Sequence, residues 1–156
     1  MKIYFIIINF IFLIIFNGCE ELEITYPGNN QDLEPKPPKG SLIWAIDFDE
    51  TSGNGKLNEN SASGLTIGSL SATDPNPDDE FTYEIYSQKM NDVNVNYFVI
   101  NSDSGLSNLE LSNGNINFEE LSGSKQIDLI IRVTDDSLEP QTSDFSLTIE
   151  IINVKF

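Results

Sequence analysis

The chain has 156 residues, room for one domain of ordinary size, and sets 25 Asp and Glu against eight Lys and Arg for a formal net charge of −17. It has no histidine, one cysteine (Cys19) and one arginine (Arg132), which excludes a histidine-based catalytic triad, a His/Cys zinc site and an intramolecular disulfide. The charge argues against nucleic acid as a partner, because phosphate backbones need a basic surface, and favours divalent cations or basic surfaces.

Residues 1–18 read as a signal peptide: Lys2 precedes an apolar run from Ile3 to Phe16, broken only by Asn9. That run is too short for a spanning helix, which needs about 20 residues to cross a ~30 Å hydrocarbon core. Gly18 then stands directly before Cys19, and Glu20, Glu21 and Glu23 follow. This arrangement resembles a bacterial lipoprotein signal, in which the cysteine is acylated and becomes the new amino terminus. Gly18 and Cys19 match the pattern, while Phe16 and Asn17 depart from its strict form. The resemblance implies a lipid anchor at Cys19, hence a lipoprotein of the bacterial cell envelope, held at the outer membrane and displayed at the cell surface. The other reading of Cys19 is a free thiol left by an ordinary cleaved signal.

Residues 19–41 form a tether, with Pro27, Pro35, Pro37 and Pro38 among Gly28, Asn29 and Asn30 and few apolar side chains to offset the entropy of ordering. Residues 42–55 read as a linker or edge strand that carries the only tryptophan, Trp44. From residue 56 onward the pattern becomes two-residue alternation. Phe81, Tyr83 and Ile85 form one apolar series; Ile127, Leu129, Ile131 and Val133 form a second; Phe145, Leu147, Ile149 and Ile151 form a third. Turn clusters at 74–79, 101–105, 121–124 and 135–137 divide the segment into about seven short strands in roughly 100 residues, the spacing of an immunoglobulin-like sandwich. The expected fold class is therefore all-β, a single seven-stranded Greek-key sandwich over residues 56–156.

Several segments are also familiar as residues. Leu57-Asn58-Glu59-Asn60, Leu70-Ser71-Ala72-Thr73-Asp74-Pro75-Asn76, Phe81-Thr82-Tyr83-Glu84-Ile85, Ile116-Asn117-Phe118-Glu119 and Ile131-Arg132-Val133-Thr134-Asp135 resemble, in order and spacing, a bacterial cadherin-like repeat. In that family repeats stack end to end, and calcium sits at the junctions among carboxylates from both neighbours and the linker. The resemblance puts Glu59 on the glutamate near the first strand and Asp74 with Asn76 on the acidic pair after the second. It puts Glu119 on the glutamate before the penultimate strand, with Asn117 in place of the more usual aspartate, and Asp135 on the aspartate that ends that strand. Calcium takes six to eight oxygen ligands, so these side chains suit it; Asp and Asn are also ordinary turn formers.

The carboxyl end departs from the pattern, since Lys155 and Phe156 stand where linker ligands belong and leave Glu59 and Glu119 without the rest of their junction. At the opposite end Asp74, Asn76 and Asp135 are expected to face the incoming chain, where Ile46 to Thr51 resembles a cadherin linker and offers Asp47, Asp49 and Glu50 as further ligands. The function implied is a calcium-binding surface module for cell adhesion, taking a protein or carbohydrate ligand. A structural subunit of an envelope complex that makes no use of calcium is the alternative. A carboxylate-pair glycoside hydrolase is a distant third, because the acids are spread over turns and accompany no pocket motif. The expectation is thus no enzyme.

Overall fold

In the computed structural model, residues 35–75 and 79–155 are described, and they fold as two β-sheets packed face to face. The first sheet has the order β1-β3-β7-β6, formed by β1 (Lys39–Trp44), β3 (Thr66–Thr73), β7 (Leu106–Leu111) and β6 (Phe98–Asp103). The second has the order β2-β9-β8-β4-β5, formed by β2 (Gly55–Asn58), β9 (Thr142–Ile152), β8 (Gln126–Asp135), β4 (Phe81–Met90) and β5 (Val93–Asn94). Every pairing is antiparallel except that of β2 with β9. The chain leaves the first sheet after β3, returns with β6 and β7, and leaves it again for β8, so consecutive strands change sheets as in a Greek key. Among the described residues no helix is long and apolar enough to cross a membrane.

The nine strands are the expected seven in more detail. β1 and β2 are halves of one opening strand that pairs first with β3 and then, after a turn closed by Gly53 at φ 77°, with β9. β5 is a two-residue addition to the edge of β4. The opening strand begins at Lys39, inside the stretch read from sequence as tether. Its two glycines are steric requirements: a Cβ on Gly40 would lie 2.4 Å from the Phe145 ring, and one on Gly55 the same distance from the ring of Trp44.

The core follows from the alternation. Ile127, Leu129, Ile131 and Val133 of β8 and Ile149 and Ile151 of β9 face Ile67, Leu109, Leu111 and Phe98 of the first sheet, all at 1% exposure or less. The alternation does not stop at the apolar residues. Asp135 is the next inward position of β8 and is only 4% exposed, so the strand carries a carboxylate into the end of the sandwich.

Candidate metal centre

Three elements converge at the end of the sandwich where the described chain begins. β3 ends at Thr73 opposite Lys39, the first residue of β1, so Asp74 emerges beside the incoming chain. The Ser143 hydroxyl of β9 donates to the Pro38 carbonyl and ties that chain down. β4 begins with Phe81 opposite Asp135, and Asp79 lies just before it. As a result one carboxylate oxygen from each of Asp74, Asp79 and Asp135 lies within 4.8 Å of the others.

The two oxygens of Asp135 differ. Oδ1 accepts hydrogen bonds from the Ser137 hydroxyl (2.8 Å), the Gln141 N–H (2.9 Å) and the Ser137 N–H (3.3 Å), so the loop after β8 folds around it. Oδ2 is buried and accepts no hydrogen bond among the described residues, and the same holds for Asp79 Oδ2. Burial pushes the Asp135 carboxyl up, but the bonds from Gln141 and Ser137 outweigh it and hold the group below its ordinary value, so it remains ionised near neutral pH. Buried carboxylate oxygens without partners are costly unless something positive meets them. Three hard oxygen donors on three separate elements fit a calcium ion in chemical type; Asp74, Asp79 and Asp135 are the residues that would hold it. Asn76, also expected here, lies outside the described residues, as does Cys19.

The remaining expected ligands lie elsewhere. Glu59 and Glu119 meet at the far end, separated from Asp135 by the full ten residues of β8, roughly 30 Å at ~3.3 Å per residue. There Glu59 accepts from the Val154 N–H (2.9 Å) through one oxygen and from the Phe118 N–H (3.0 Å) through the other, while Glu119 accepts from the Asn153 amide (2.7 Å). The Phe118 N–H foremost, and then that of Val154, hold the Glu59 carboxyl below its ordinary value. Glu59 thus fastens the end of β9 to the short 3-10 turn at Phe118–Glu120.

Asp47 and Asp49 do not join the Asp74 and Asp135 cluster, contrary to the sequence expectation. The Lys56 N–H donates to the Asp47 carbonyl, which places that residue beside β2, and Lys56 in turn pairs with Glu150 toward the Glu59 end. Asp49 caps its own turn by accepting from the Thr51 and Ser52 N–H groups and pairs with Lys56 Nζ at 3.3 Å. The physical reason is that the opening strand begins earlier than the alternation suggests: residues 35–38, and not 46–51, are the approach to the cluster. Glu50 sits in the same turn as Asp49.

No protein-family profile matches the chain, and no curated protein sequence does either. Solved structures do. Domains 3–6 of protocadherin gamma B2 superpose at a TM-score of 0.56 with 16% identity over 76% of this chain and 24% of that one. Mouse cadherin-23 EC22–24 gives 0.56 with 17% identity over 76% and 33%, and Drosophila N-cadherin EC1–3 gives 0.55 with 23% identity over 76% and 35%. The fold is cadherin-like. The chain spans a quarter to a third of the length of these multi-domain structures, and at such identities the likeness establishes the cadherin-like sandwich alone.

Asp79 was not among the residues singled out by sequence. The run Asp74-Pro75-Asn76-Pro77-Asp78-Asp79 reads as a turn, and only the return of the chain into β4 brings Asp79 toward Asp135. The signal available was phase: Asp135 continues the inward alternation of β8, and an acid there needs company.

Proposed function

We propose that this chain is a surface-anchored adhesion module: a cadherin-like sandwich, tethered through a lipid on Cys19, that binds calcium between Asp74, Asp79 and Asp135 at its membrane-proximal end. The observation that carries the reading is Asp135: its Oδ2 is buried and accepts no hydrogen bond among the described residues, and one of its carboxylate oxygens lies within 4.8 Å of carboxylate oxygens from two other elements. Bound there, calcium would link the loop after β3, the approach to β4 and the end of β8, and so stiffen the junction where the tether meets the sandwich. An anchored domain with a stiff base presents its far surface to a protein or carbohydrate ligand at a defined orientation. The net charge of −17 supports a role for a divalent cation in offsetting self-repulsion.

Thermal melts of the full chain in millimolar calcium and in chelator test the cation. Calcium raises the melting temperature if the reading holds, and identical melts would refute it. Fractionation of cells tests the anchor: Cys19→Ala moves the protein from the membrane fraction to the soluble exported fraction, whereas full membrane retention of the variant would refute lipidation.

A further inference from the structure

We propose that the free edge of β6, with the groove beside it, binds an extended, basic segment of a partner protein by β-strand addition. Three features of the sandwich converge there. Among the described residues β6 is one of the two outer strands of the first sheet, and its six residues contain no Lys, no Pro and no bulge, the devices that usually blunt an exposed edge. By contrast β1 follows Pro37 and Pro38 and opens with Lys39, and the outer strands of the second sheet have four and two residues.

The backbone polarity of this edge is fixed by the hairpin. β6 and β7 are joined by the two residues Ser104 and Gly105, both at positive φ (52° and 80°), which makes Asp103 and Leu106 a hydrogen-bonded pair and turns the alternate residues outward. Phe98, Ile100 and Ser102 are therefore the outward positions. The first is already occupied: Gln88 accepts from the Phe98 N–H at 3.1 Å and donates to its carbonyl at 3.1 Å, as a neighbouring strand would. Ile100 and Ser102 each retain one outward N–H and one C=O, and no described hydrogen bond uses them.

The groove beside this edge supplies the place for a side chain. It is open to solvent, has a volume of about 650 Å³, and is lined by Phe81 and Tyr83 of β4 in the second sheet and by Leu70, Ser102 and Leu106 of the first. It remains open because β5 covers β4 only at Lys89 and Met90. Leu106 is 66% exposed at its mouth. An extended peptide paired with Ile100 and Ser102 points every second side chain toward this apolar floor. Charge selects the occupant. Glu80 lines the groove, no Lys or Arg does, and Asp103 closes the end of β6, so a basic strand is attracted while a second copy, itself at −17, is repelled.

The probe is a capped six-residue peptide of alternating lysine and valine, titrated into the full chain in the presence of chelator, so that the outcome does not depend on the calcium site. Binding with slowed amide exchange at Ile100 and Ser102 is expected. N-methylation of alternate peptide nitrogens, or Ser102→Pro on the protein, should weaken it at least about tenfold, since each removes strand hydrogen bonding while leaving charge unchanged. A glutamate-for-lysine peptide should not bind. Ser102→Pro is compatible with folding because its N–H faces outward at an edge; the N-methylated peptide makes the same test on unaltered protein. Undiminished binding of that peptide, protection of β1 in place of β6, self-association that protects the same amides, or no binding at millimolar peptide would overturn the proposal.

Discussion

Asp135→Asn separates the two things the Asp135 carboxylate does. The asparagine Oδ1 can still accept from Ser137 and Gln141, so the loop after β8 keeps its anchor, while Oδ2 becomes an NH₂ that donates and cannot ligate a cation. In chelator the wild-type cluster holds three carboxylates with oxygens within 4.8 Å. A pair of unit charges at that separation repels by about 3 kcal/mol at an effective dielectric of ~20, and solvent and salt reduce this to on the order of 1–2 kcal/mol. Asp135→Asn is therefore expected to be more stable than wild type in chelator. In calcium the order reverses: with a dissociation constant of ~0.1 mM, as in extracellular calcium modules, ~10 mM calcium adds about 2.7 kcal/mol to the wild type, or roughly 10 °C in melting temperature. The variant should gain little. Parallel melts of both proteins in calcium and in chelator give the result directly. A variant that is less stable than wild type in chelator, or that keeps the full calcium response, would refute the reasoning.

Four other perturbations probe the rest of the account. Leu109→Ala empties a fully buried position of β7 and should lower stability by about 2–5 kcal/mol in denaturant titration without changing the calcium response. Gly55→Ala pushes a methyl into the Trp44 ring and should cost about 1–3 kcal/mol while shifting the fluorescence of the only tryptophan to the red. The carboxyl of Glu59 is held below its ordinary value, so its contribution to stability is fully present above the unfolded value of about 4.5 and is lost as pH falls through the lower folded value. The melting-temperature gap between wild type and Glu59→Gln should therefore narrow between about pH 6 and about pH 3. Glu119→Ala should leave the calcium response intact, since Glu119 lies at the opposite end and already accepts from Asn153.

The fold was legible because a half-buried strand writes its phase into the chain. The series Ile127, Leu129, Ile131, Val133 and the series Phe145, Leu147, Ile149, Ile151 give two central strands of one sheet and the faces they bury. β1 was harder to place. Of its residues only Leu42, Ile43 and Trp44 are large and apolar, and Gly40 is where it is because Phe145 occupies the space above it, a fact of packing that no local pattern contains. Because residues 35–38, and not 46–51, approach the cluster, Asp47 and Asp49 lie beside β2 and Lys56. The site was half legible: Asp74 and Asp135 were found through the resemblance, and their proximity depends on Thr73 lying opposite Lys39 and Asp135 opposite Phe81. Asp79 is not legible in the sequence, because two prolines and three aspartates in six residues read equally well as a solvated turn.

Anomalous diffraction from crystals of the full chain grown in calcium tests the central claim most directly. The account predicts a peak between Asp74, Asp79 and Asp135, with carboxylate oxygens about 2.3–2.6 Å from it. A cluster without a peak at millimolar calcium, or a peak only beside Glu59 and Glu119, would contradict it.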